Sequence, residues 1–131
     1  NLFFKLVSKQ AGKKKEVEDL IFATKVTKHL KSNSVVLASN KEIIGIGVGQ
    51  TSRIGALRDA LKKIKSKVKL KKFVCASDGF FPFTDSIKLL HKYNCTAIAQ
   101  PSGSINDKKI IDKANEYKIP LYFMKNRLFK H

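Results

Sequence analysis

Arginine is scarce in this chain, occurring only at positions 53, 58 and 127 although the formal net charge is +17. Proteins that read base edges favour arginine, whose planar fork matches guanine and phosphate, so a dedicated nucleic-acid role is disfavoured. Cysteine is scarce too: Cys75 and Cys95 each sit in an apolar run, with no C-x-x-C pair. That pattern argues against a zinc site and fits small buried thiols in a reducing compartment, so no metal is expected. No apolar run reaches membrane-spanning length and there is no signal peptide. A soluble cytoplasmic protein without a membrane partner is the expectation. No Pro/Gly/Ser linker, internal repeat or low-complexity tract divides the chain. Its 131 residues are enough to bury a real core, so residues 1–131 should form a single domain. The chain begins at Asn1 rather than Met, and a piece of a longer protein is expected. His29, His91 and His131 stand without a carboxylate or nucleophile at a recognisable spacing.

What the chain has in excess is lysine. Lys62, Lys63, Lys65, Lys67, Lys69, Lys71 and Lys72 form the densest cluster and read mostly as a solvated face. A general attraction for phosphorylated or polyanionic small ligands follows from such a charge.

Apolar spacing predicts an amphipathic helix over 14–31, carried by Val17, Leu20, Ile21, Ala23 and Leu30. Two β-branched runs, 34–38 and 43–48, flank Ser39-Asn40-Lys41-Glu42 and read as a hairpin. Helical spacing returns at Ile54, Leu57, Leu61, Ile64 and Val68. Then strands near 73–76, 95–99 and 119–123 alternate with helices near 85–94 and 106–117. Alternation with short loops implies crossover connections and parallel pairing. The expected fold is α/β: a three-layer α/β/α sandwich with a mixed, mostly parallel sheet.

Ligands in open α/β sheets bind beyond the carboxyl ends of parallel strands. Three loops, 77–84, 100–105 and 124–127, occupy that position here. The first, Ser77-Asp78-Gly79-Phe80-Phe81-Pro82-Phe83-Thr84-Asp85, holds three phenylalanines and a proline between two carboxylates, with Asp85 placed to cap the next helix. Its rings either form a flat surface for a ligand or plug the core. Gly103-Ser104 precedes a helix, so its N–H groups either receive an anion or carbonyl oxygen or are capped locally. Arg127 lies beyond the last strand and suits a phosphate or a surface ion pair. Gly45, Gly47 and Gly49 bare one face of a strand, more for a packed helix than for a ligand. Arg53 stands just before the following helix.

Taken together, S-D-x-F-F-P-F-x-D at 77–85, Q-P-x-G-S at 100–104, R-x-F-x-H at 127–131, Lys31-Ser32-Asn33-Ser34 and the stretch 45–54 resemble the C-terminal half of the AICAR transformylase domain of bifunctional AICAR formyltransferase/IMP cyclohydrolases. The resemblance covers about Asp19 to His131 and leaves residues 1–13 unassigned. It implies cytidine-deaminase-like layers and formyl transfer from 10-formyltetrahydrofolate to AICAR in purine biosynthesis. By motif, Asn33, Phe80 and Arg127 correspond to nucleotide-binding positions. Arg53, Ile54, Pro82, Phe83, Asp85 and Ser104 correspond to the folate side. The resemblance further implies a homodimer, a missing N-terminal lobe and an attached cyclohydrolase domain. The family's catalytic Lys-His pair belongs to that missing lobe. Lys28-His29 falls in another motif context, at a helix end where cations suit the dipole, and no catalytic residue is assigned in this chain. Gly79 stands where the family usually has Ala.

The alternative of another class is a non-enzymatic basic α/β module binding a phosphorylated ligand or RNA through its lysine face. A zinc-dependent deaminase is a weaker rival, since the chain has neither H-x-E nor P-C-x-x-C.

Overall fold

The computed structural model describes residues 3–67 and 72–125. Ten elements follow in chain order: β1 (Phe4–Leu6), α1 (Lys14–Thr27), β2 (Val35–Ser39), β3 (Glu42–Gly47), α2 (Arg53–Lys67), β4 (Phe73–Ser77), α3 (Asp85–Lys92), β5 (Cys95–Pro101), α4 (Asp107–Glu116) and β6 (Leu121–Met124). The strands form one sheet in the order β1-β6-β5-β4-β2-β3.

Every residue of β2 and of β4 is buried, as expected of strands covered on both faces. Strand alternation sorts their side chains into two cores. Leu37, Cys75, Ile98 and Leu121 pack with residues of α2, α3 and α4, including Leu57, Ile87 and Ile110. Val36, Ala38, Val74, Ala76, Ala97 and Ala99 face the other way, toward Leu20 and Ala23 of α1. Four of those six are alanines, so α1 can lie close across β2, β4 and β5. The result is the expected three-layer sandwich with a mixed sheet.

Parallel pairing is confined to β4–β5 and β5–β6. The pairs β2–β4, β2–β3 and β1–β6 are antiparallel. The parallel share is therefore smaller than the sequence suggests, because β2 runs against β4. One consequence matters for the site: the start of β2 lies at the same edge as the exit of β4, with Val35 opposite Ser77.

The predicted hairpin is present. Asn40 and Lys41 both adopt positive φ, 54° and 58°, as a two-residue turn of the primed type requires. Asp19 of α1 holds it, its carboxylate accepting from the Asn40 N–H at 3.1 Å and the Lys41 N–H at 2.8 Å. The glycine-bared face of β3 meets α2, as favoured from sequence. A Cβ at Gly45 or Gly47 would collide with the carbonyl of Ala60 or Ala56. Gly49 instead leaves the strand at φ +69°, with open space around it.

Three details differ from the sequence reading. α1 ends at Thr27, four residues early, where His29 and Leu30 fold back through N–H bonds to the carbonyls of Val26 and Thr27. Thr84 rather than Asp85 is the N-cap of α3, and Asp85 is its first helical residue. Residues left unassigned at the N-terminus supply β1, which buries Phe4 and adds to β6.

Candidate substrate-binding crevice

At the carboxyl edge of β4 and β5 the chain brings five segments together: the start of β2, the turn after β3, the start of α2, and the loops after β4 and β5. Asp78 is the meeting point of three of them. Its Oδ1 accepts the Ser34 N–H at 3.0 Å, and its own N–H donates to the Ser34 carbonyl at 3.1 Å. The same oxygen pairs with the Arg53 guanidinium. Arg53, the first residue of α2, lies across Gly79, where a Cβ would fall 2.8 Å from its Cζ. Asn33, next to Ser34, donates from Nδ2 to the Gln50 carbonyl at 3.0 Å.

The aromatic loop divides its rings. Phe81 is fully buried among Ile87, Leu90 and Ile98, whereas Phe80 is 38% and Phe83 63% exposed. One ring of the loop therefore plugs the core while two stand exposed. Gln100 at the exit of β5 fixes the arrangement by accepting the Phe81 N–H at 3.2 Å. Its buried Nε2 has no hydrogen-bond partner among the described residues. Across the crevice, Gly103 approaches the Phe80 ring, and Asn106 Nδ2 donates to the Pro82 carbonyl at 2.8 Å.

The Gly103-Ser104 turn resolves toward local capping. Asp107 accepts the Gly103 N–H at 2.9 Å and the Ser104 N–H at 3.2 Å, and Ser104 Oγ accepts the Asn106 N–H at 3.0 Å. Those two N–H groups are thus engaged and do not form an open anion cradle. The Ser104 hydroxyl keeps a proton to donate.

Ile54 and Asp85 share a shallow depression of about 240 Å³ with Arg58, Lys88 and Leu89. The structure therefore groups Arg53 with Asp78, Ile54 with Asp85, Phe80 with Gly103, and Pro82 with Asn106. Arg127 lies outside the described residues, as do His131, Lys69 and Lys71. Lys28 and His29 are exposed in the turn after α1.

Asp107, Gln100 and the role of Asp78 were missed from sequence. Ser104-x-x-Asp107 is a capping-box pattern and carried that signal. Gln100 is the polar end of an otherwise apolar strand, a position where a side chain must find a specific partner. Asp78 had no local signal, because Arg53 and Ser34 lie 25 and 44 residues away.

Both thiols are inert by environment. Burial pushes the Cys95 thiol up to about 12 and holds Cys75 well above the usual range, with the nearby Cys95 adding to it. They pack in the core on the α2–α4 face, as small hydrophobes would. Among the described residues, no three His, Cys, Asp or Glu side chains gather to hold a metal, and no helix is long and apolar enough to cross a membrane.

A larger depression, about 350 Å³, lies at the opposite edge, beside the amino ends of β5 and β6. Lys13, Lys72 and Lys118 line it, with the His91 and Tyr117 rings stacked 3.9 Å apart. The C-terminal ends of α3 and α4 point there, and cations complement their partial negative charge. The aromatic loop and the Gly103-Ser104 turn singled out by motif lie at the carboxyl edge instead.

Comparison with known proteins supports the coarser part of the resemblance, to bifunctional purine biosynthesis proteins. Residues 2–63 match the family model described as AICARFT/IMPCHase bienzyme. The bifunctional purine biosynthesis protein PurH of Caldicellulosiruptor saccharolyticus is 48% identical over 98% of this chain and 25% of its own length. PurH of Buchnera aphidicola is 50% identical over 96% of this chain and 24% of its own. The Dictyostelium discoideum protein of the same name is 44% identical over 98% of the chain and 23% of its own. Among solved structures, the dCMP deaminase of cyanophage S-TIM5 superposes with a TM-score of 0.56 at 12% identity, covering 84% of this chain and 98% of that one. That likeness is one of fold, and it matches the expected deaminase-like layering. The chain is a sequence relative of the PurH bifunctional purine biosynthesis proteins and spans about a quarter of their length.

Proposed function

We propose that this chain is the nucleotide- and folate-binding lobe of an AICAR formyltransferase, acting in purine biosynthesis with 10-formyltetrahydrofolate as co-substrate. The observation that carries the reading is the divided aromatic loop: Phe80 and Phe83 stand exposed at a strand exit while Phe81 anchors them from below. Exposed rings on a fixed base suit planar ligands, since little side-chain freedom is lost on stacking.

In this reading the accepting amine is a poor nucleophile, its lone pair delocalised into the imidazole ring. Formyl transfer then demands orientation, removal of a proton and stabilisation of an oxyanion. The chain's own residues serve orientation. Phe80 stacks on the imidazole, the Asn33 amide meets the nucleotide, and Arg127 is assigned to its phosphate by motif. Arg53, Ile54, Pro82 and Phe83 bound the pterin, while Asp85 and the Ser104 hydroxyl meet its polar edge. The shared depression of Ile54 and Asp85 supports grouping those two on the folate side. The base comes from the lobe outside this chain, and the complete site forms in a homodimer. A cyclohydrolase activity belongs to a further domain.

Calorimetric titration with AICAR and with 5-formyltetrahydrofolate, a non-transferring analogue, tests the reading. Phe80→Ala should weaken AICAR by roughly threefold to tenfold, the worth of one aromatic stack, with Arg127→Ala weakening it as well. Affinity for AICAR unchanged by either substitution would remove the assignment. Salt-sensitive oligonucleotide binding with no response to either ligand would favour the basic-module alternative.

A further inference from the structure

We propose that Asp78 is the positioning residue of the crevice, setting the stance of Arg53 toward the folate and of the Asn33 segment toward the nucleotide. The inference rests on the functional reading above and adds a residue that reading does not use. One carboxylate oxygen serves two elements at once, accepting the Ser34 N–H at 3.0 Å and pairing with the Arg53 guanidinium. The backbone N–H of Asp78 completes a reciprocal link to the Ser34 carbonyl at 3.1 Å.

The partners have reason to depend on it. Arg53 opens α2, where the helix dipole disfavours a cation, and the first turn of α2 holds no acidic residue. The countercharge therefore arrives from another element. The two side chains are only 16% and 10% exposed, so water compensates neither charge well if the other is lost. Gly79 leaves the space in which the guanidinium lies. Asp78 thus couples three parts of the crevice that are remote in sequence, while the Phe80 and Phe83 rings that follow it stay exposed.

Replacement by asparagine separates the two roles. Asp78→Asn retains an oxygen for the Ser34 N–H but removes the charge facing Arg53. In the protein carrying this chain, it should weaken 5-formyltetrahydrofolate about tenfold while changing AICAR affinity less than about threefold. Asp78→Ala, which removes both bonds, should weaken both ligands. With Arg53→Ala already in place, Asp78→Asn should cost no further folate affinity, a non-additivity that a general loss of structure does not produce. Thermal melts accompany each variant, and if Asp78→Ala fails to fold, the asparagine cycle alone decides. Loss of folate affinity in Arg53→Ala but not in Asp78→Asn, or additive effects of the two, overturns the positioning role and leaves the functional reading standing. A wild-type protein that binds neither ligand overturns both.

Discussion

The loops that leave β4 and β5 exit adjacent parallel strands at the same edge, yet they use their polar groups differently. The loop after β5 spends most of its polar groups on itself, although Asn106 Nδ2 also reaches the Pro82 carbonyl. Asp107 takes the N–H groups of Gly103 and Ser104, and Ser104 takes that of Asn106. The loop after β4 reaches outward: Asp78 binds the start of β2 and the start of α2, and the Phe81 N–H reaches Gln100 on the neighbouring strand. The first is a capped helix start that can hold its shape locally. The second takes its shape from other elements, and through them it gathers residues distant in sequence. A side chain's chemistry therefore says less about its role than where its bonds lead.

The strongest way to break this contrast is Phe81→Ala. It removes a fully buried ring beneath the outward-reaching loop and should cost about 3–5 kcal/mol in urea denaturation. A cost near that of a surface change would mean the loop is not held from below. Asp107→Ala should cost about 1–2 kcal/mol by freeing two N–H groups, and should leave 5-formyltetrahydrofolate and AICAR affinities within about twofold. A large loss of ligand affinity there would show that the loop after β5 is not self-contained. Phe83→Ala, at a ring 63% exposed, should change stability by no more than about 0.5 kcal/mol while weakening the folate analogue.

The smallest expected effect concerns the strands beneath the loops. Cys75 of β4 and Cys95 of β5 should react with a thiol-specific disulfide reagent near pH 7.5 only after denaturant is added. The raised thiols also set a sign. The unfolded chain loses these protons near the ordinary value of 9.0, whereas folded Cys95 keeps its proton to about 12. Their contribution is present in full below pH 9 and falls as pH rises toward 12, which denaturation midpoints measured against Cys95→Ala can resolve.

Much of the architecture was legible because it repeats. The spacing of Leu57, Leu61 and Ile64, the β-branched hairpin and the alternation after residue 72 all state their elements locally. β1 did not, since Phe4–Leu6 is too short to show a period and is a strand only through β6. Nor did the direction of β2, which depends on pairing Val35 with Ser77. The crevice was legible in its location and in its loops, but not in the division of labour among three phenylalanines of one type. The backbone of the buried ring is held by Gln100, and that bond spans 19 residues. The open reading of Gly103-Ser104 gave way to Asp107, whose carboxylate was only three residues from Ser104.

Gly45 and Gly47 place α2 backbone directly on β3, with no side-chain cushion between them. Arg53 therefore starts from a beam clamped to the sheet, not from a hanging strap. Its Cα stays put on that beam and its guanidinium is tied to Asp78, so the arm that reaches into the crevice is anchored at both shoulder and hand.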